Sequence, residues 1–138
     1  MFTTRGKLDY HSVWCVAWVD RSIGCFYRNL IPKAAYAQSP MYDAHVTVVS
    51  KYDSDAVKRG PLWGKYQGRE IVVYYDGIVR PCADGLYYGL DCWSKDIGDL
   101  REELGLTRLL GGFQGDWPDA NPTMDKYHIT VANTKGNK

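Results

Sequence analysis

Two stretches, AHVTV (Ala44–Val48) and YHITV (Tyr127–Val131), decide how this chain of 138 residues is read. Each runs histidine, apolar residue, threonine, valine, and together they hold two of the three histidines in the chain. β-Branched residues suit a pleated, half-buried surface, so both stretches are expected to be strands. Side chains alternate along a strand, which puts His45 and Thr47 on one face and Ala44, Val46 and Val48 on the other. By the same rule His128, Thr130 and Ala132 share a face opposed by Ile129 and Val131. Each strand thus presents an imidazole beside a hydroxyl, anchored by an apolar back. With ordinary residue frequencies a given histidine is followed by apolar-Thr-Val about once in several hundred cases. Coincidence is a poor account of two such runs.

The rest of the chain reads as mixed elements. VWCVAWV (Val13–Val19) is expected to be a buried strand, with Trp14 and Trp18 in the core. In SIGCFYRNLI, the spacing of Ile23, Phe26, Tyr27, Leu30 and Ile31 predicts a helix face, with Ser22 as N-cap and Pro32 as stop. REIVVYYDGIVRP is a long strand or a hairpin bent near its Asp-Gly, and GLYYGLDCW is its expected partner. SKDIGDLREELGL places Ile97, Leu100 and Leu104 on one helical face, with Gly105 ending the helix. GGFQGDWPDANP reads as an irregular loop. Strands that cluster instead of alternating with helices predict an α+β fold with a mostly antiparallel sheet, in one domain over residues 1–138.

Composition narrows the partners. Apolar residues make up 45 % and charged residues 24 %, as in an ordinary globular protein. A formal net charge of +1 argues against wrapping long duplex nucleic acid by charge alone, while a small bound anion remains compatible. No leader-like segment or membrane-length apolar run is present, so a cytoplasmic location without membrane contact is expected. Cys15, Cys25, Cys82 and Cys92 match no common zinc or haem spacing, and Cys15 and Cys92 are expected to be reduced core thiols.

The chemistry that suits two imidazole–hydroxyl pairs is phosphodiester cleavage. Imidazole titrates near pH 6.5, so one ring can accept a proton from the attacking oxygen while the other donates to the leaving oxygen. Threonine hydroxyls can donate to the non-bridging phosphate oxygens. This scheme asks for no metal or cofactor, and no obvious carboxylate cluster would hold a metal. HVTV at His45–Val48 and HITV at His128–Val131 resemble the two H-x-T-x motifs of the two-histidine phosphoesterase superfamily. That superfamily includes RNA 2′,3′-cyclic phosphodiesterases, 2′,5′-oligoadenylate phosphodiesterases and phage anti-CBASS nucleases. The resemblance implies a bilobal, LigT-like α+β fold, with antiparallel sheets around a central cleft, flanking helices and one motif per lobe. It further implies that His45 and His128 are the acid–base residues and Thr47 and Thr130 the phosphate ligands. In size, tyrosine content and sheet-heavy order the chain looks most like phage-encoded members that cleave cyclic oligonucleotide signals.

A small nucleotide or cyclic oligonucleotide substrate would also need stacking surfaces, and aromatics are 14 % of the chain. Tyr10, Trp63 and Trp117 are the candidates, because the two tryptophans lie in Gly/Pro-containing loops and Tyr10 at the entry to the first strand. His11 lies outside the motif and is expected at a surface or strand edge. Alternatives within the enzyme class are cleavage of RNA 2′,3′-cyclic ends or of 2′-5′ linkages. An alternative of another class is a nucleotide-sequestering protein without turnover.

Overall fold

The computed structural model describes residues 1–82, 85–108 and 126–134. Among them six strands run β1 (Phe2–Tyr10), β2 (Cys15–Trp18), β3 (His45–Val49), β4 (Glu70–Cys82), β5 (Tyr87–Trp93) and β6 (Lys126–Asn133). Three α-helices accompany them: α1 (Arg21–Arg28), α2 (Asp55–Lys58) and α3 (Lys95–Glu103). The fold is α+β, and every strand pairing is antiparallel, in the closed order β1-β2-β3-β6-β5-β4.

The order contains a duplication. β1, β2, α1 and β3 repeat as β4, β5, α3 and β6, and each copy ends on a histidine strand. The copies meet along two seams, β3 against β6 and β1 against β4. Two separate sheets around an open cleft were expected. One continuous closed sheet is found, because Phe2–Lys7 pairs in unbroken register with Glu70–Tyr75 and seals the second seam.

One face of the strands is apolar. Leu8, Cys15, Ala17, Val46, Val48, Val73, Leu90, Cys92, Ile129 and Val131 are buried in a single cluster with Ile23 and Tyr27 of α1 and Ile97 and Leu100 of α3. α1 packs on β6 and α3 on β3 and β4, so each helix covers the histidine strand of the opposite half. Fully burying a side chain of valine or leucine size contributes about 1.5–3 kcal/mol, so this face anchors both histidine strands. Cys15 and Cys92 are free thiols within it, and burial pushes the Cys15 pKa up to about 12.

Several local expectations are corrected. β1 was not anticipated, because of FTTRGKLDY only Gly6 and Leu8 are buried and the apolar signal is faint. Asp20, not Ser22, caps α1, its carboxylate accepting from the Ser22 amide. α1 stops at Arg28, which leaves Leu30 outside it, and Phe26 is 59 % exposed on the side away from the core. Of the two readings of REIVVYYDGIVRP the long strand is found, with the Asp-Gly in a bulge between Tyr75 and Val79. Gly77 takes φ 73° there, and a Cβ would fall 2.8 Å from the Phe2 ring. Ser94 caps α3, its hydroxyl accepting from the Ile97 amide, and Gly105 follows its end at φ 84°, as expected.

A buried ion pair locks α3 to the end of β3. Arg101, 0 % exposed, donates from Nη1 and Nη2 to the two carboxylate oxygens of Asp53 at 2.9 and 3.1 Å. It also donates to the carbonyls of Val48 at 2.9 Å and Thr107 at 2.7 Å. Burial opposes the charge on Asp53, but hydrogen bonds from Arg101 and the Ser50 amide outweigh it and hold the carboxyl below its ordinary range. Removing one partner of such a pair strands the other charge. Asp53→Asn is therefore expected to cost about 3–5 kcal/mol of unfolding free energy, measured by urea denaturation.

Candidate active site

Register brings the two motifs together. Val46 of β3 pairs with Ile129 of β6, and these are the same position in the two motifs. Stepping one residue along each antiparallel strand from that pair puts His45 opposite Thr130 and Thr47 opposite His128. Facing residues on one side of an antiparallel pair have Cβ atoms about 4.5–5.5 Å apart. Each imidazole thus has its own threonine two residues along its strand and the other half's threonine across the seam. All four side chains are half-buried, on the face opposite the apolar cluster.

His45 has a defined ring orientation. Its Nδ1–H donates to the Asp43 carbonyl at 2.8 Å, which leaves the Nε2 lone pair free in the neutral ring. Around it stand Trp18, Trp14 and Tyr42, edge-on, with centroids 5.3, 5.6 and 6.2 Å away. Burial lowers the His45 pKa, and the Asp43 carbonyl partly offsets this. The other ring is shifted further. His128 retains some accessible surface, but close packing around the imidazole pushes its pKa down to about 4, with repulsion from His45 adding to the effect. Both rings are neutral near pH 7 in the free protein. An anion placed between them would raise both pKa values, because opposite charge favours the protonated form.

The neighbours differ on the two sides. β2 sets Trp18 opposite His45 and Val16 opposite Thr47. Trp18 is held from behind by Asp9, whose carboxylate accepts from the indole Nε1–H at 2.8 Å and from Gln67 at 2.9 Å. Those two hydrogen bonds, with a smaller contribution from His11, keep the Asp9 carboxyl below its ordinary pKa. His11 is exposed, pairs with Asp9 at 3.0 Å and lies 5.4 Å from the Trp14 ring, at the rim of this aromatic wall. On the other side, β5 sets Asp91 opposite His128 and Gly89 opposite Thr130.

Of the anticipated stacking residues, Tyr10 and Trp63 are not brought beside the histidines. Tyr10 and Trp63 pack edge-on against each other, centroids 5.0 Å apart, and both lie against the apolar cluster. The Trp63 indole donates to the His11 carbonyl at 3.0 Å, and Tyr10 shares the face of Leu8, away from Asp9 and the site. Trp117 lies outside the described residues. Trp14 and Trp18, expected in the core, are instead half-buried against His45. The alternation of VWCVAWV carried that signal. Cys15, Ala17 and Val19 form the small, helix-covered face, and Trp14, Val16 and Trp18 the other.

Among the described residues no group of three or more His, Cys, Asp or Glu is placed to hold a metal ion. No helix among them is long and apolar enough to cross a membrane. Comparison of the chain with protein families, with curated proteins and with solved structures finds no match.

The His128 shift has a stability consequence with a definite sign. Its folded pKa of about 4 lies below the unfolded value near 6.5, so the unfolded chain binds the proton first. The resulting stabilisation is whole above pH 6.5 and is lost as pH falls towards 4. Between pH 7 and 4.5 this is expected to remove about 2–3 kcal/mol, a loss that His128→Gln, with nothing to protonate, does not show. Urea denaturation of both proteins at the two pH values measures the difference.

Proposed function

We propose that this protein is a phosphodiesterase that cleaves small cyclic or linear oligonucleotides by histidine–histidine acid–base catalysis, with cyclic di- and trinucleotide immune signals the favoured substrates. The observation that carries the reading is the Val46–Ile129 register, which sets each imidazole beside the other half's threonine on one face. A phosphate between the strands would be within reach of both rings and both hydroxyls. One neutral ring takes the proton of a ribose 2′-hydroxyl or a water as the new P–O bond forms. The P–O bond to the leaving oxygen breaks, and the other ring, protonated once the anion is bound, supplies the proton that oxygen needs. Thr47 and Thr130 donate to the non-bridging oxygens, where charge is held. This chemistry asks for no metal.

Two further features support it. The strand-strand-helix-strand unit occurs twice and each copy ends on a histidine strand, which supports a reading in which each half supplies one motif to a shared site. Trp14 and Tyr42, the latter 50 % exposed, offer aromatic surface beside His45 where a base could stack, a contact worth about 1–3 kcal/mol.

The test is incubation with cyclic dinucleotides, cyclic trinucleotides, 2′-5′-linked oligonucleotides and RNA ending in a 2′,3′-cyclic phosphate, with products read by mass spectrometry. Turnover of a cyclic oligonucleotide is the expected result. Turnover of the RNA ends alone would move the assignment to end processing, and tight binding without product would make the protein a sequestering one. His45→Ala and His128→Ala are each expected to lower kcat/KM by about 10²–10⁴-fold, the usual worth of general acid–base help. Thr47→Val and Thr130→Val remove a hydroxyl at nearly constant volume and are expected to cost about 10²-fold in kcat.

A further inference from the structure

The duplication makes an asymmetry visible. At corresponding places in the two halves, Trp18 faces His45 and Asp91 faces His128. A carboxylate is an unusual choice for so sheltered a position, because a buried charge costs free energy unless it is paired. Asp91 is 5 % exposed and is paired with Arg80 of β4 at 3.2 Å. The same Arg80 nitrogen reaches Asp76 at 2.7 Å. Arg80 stands opposite Gly89, so no side chain on β5 stands between it and the seam, and a Cβ at Gly89 would fall 3.0 Å from the Ile129 carbonyl. The result is a line of charge across the sheet, from Asp76 and Arg80 on β4 through Asp91 on β5 to His128 on β6.

We propose that Asp91 is a positioning residue that makes His128 the proton acceptor of the pair, by stabilising the imidazolium formed when that ring takes a proton, while Arg80 sets how much of its charge His128 feels. The role rests on the phosphodiesterase reading, but the electrostatic coupling beneath it can be tested without a substrate. In the reaction, the attacking oxygen gives its proton to His128 as its bond to phosphorus forms. The bond to the leaving oxygen breaks, and that oxygen receives a proton from His45. The partners suit this division. His45 faces an indole across β2, and its Nδ1–H is tied to the Asp43 carbonyl, so Nε2 presents the transferable proton in the imidazolium. His128 has a carboxylate in the adjoining strand to receive the charge it gains. Among the described residues, strand pairing and ion pairs bring towards His128 the charged or titratable groups His45 from β3, Asp91 from β5, and Arg80 and Asp76 from β4 behind it. Arg28 of α1 reaches β6 at the Val131 carbonyl, 3.4 Å away and three residues further along.

The experiment is an NMR pH titration of the histidine ring resonances in the full chain, in Asp91→Asn and in Arg80→Gln. Loss of the negative charge in D91N is expected to lower the His128 pKa by about one unit, and loss of the positive charge in R80Q to raise it by a similar amount. His45 is expected to move less in both. Should D91N fail to fold, the upward shift in R80Q decides alone. An unmoved His128 in the folded variants overturns the coupling. On a substrate turned over by the parent, D91N is expected to lower kcat about 10-fold or more with KM little changed and to move the acidic limb of the pH profile downward. Parental kcat and an unmoved limb overturn the catalytic role. A parent that turns over nothing in the panel overturns the phosphodiesterase reading, and the titration still decides whether Asp91 and His128 are coupled.

Discussion

The pairing of Val46 with Ile129 governs where every other side chain of the candidate site can stand. A one-residue slip of β6 against β3 would turn one strand over and bury its histidine among the helix-covered apolar residues. A two-residue slip would keep the face but set the histidines directly opposite each other or further apart, without the cross-strand threonine neighbours. The observed register is held by the apolar side of the same residues. Val46, Val48, Ile129 and Val131 are fully buried, and α1 and α3 lie over the two strands from opposite halves. Packing on one face thus specifies chemistry on the other. The Arg101–Asp53 pair adds a fixed point at the end of β3, where α3 meets the Val48 carbonyl.

Burial has an electrostatic effect as well as a packing one. Both imidazoles have lowered pKa values because the site offers each a poor substitute for water, and each ring makes a second charge more costly for the other. Such surroundings favour the neutral rings, and a negative charge placed between them would favour the protonated ones. The same property makes the site a stability liability in acid, where protonation must come before unfolding or be brought about by it.

Much of this was legible in the residues. Alternation along AHVTV and YHITV set which side chains share a face, and the helix spacing of Ile97 and Leu100 with the Gly105 stop placed α3. Less visible was β1, whose polar, mostly exposed residues pair with β4 and close the sheet. Tyr10 and Trp63 were legible as aromatics but not as each other's packing partners, since strand parity puts Tyr10 with Leu8 on the apolar face. Trp14 and Trp18 could have been placed from the small residues between them. Asp91 and Arg80 could not, because nothing in the local sequence of GLYYGLDCW tells which residue lies across a ladder.

Taken alone, the sequence determined parity: which residues of each strand look the same way, and that two histidine–threonine pairs each have an apolar back. Parity is local, set by the pleat of a single strand. Only the tertiary structure decided adjacency: that β3 lies against β6, that the register crosses His45 with Thr130 and Thr47 with His128, and that Trp18 and Asp91 are the unlike flanks. Adjacency is non-local, fixed by which apolar surfaces pack together and which strand edges remain to be paired, and no single segment contains that information.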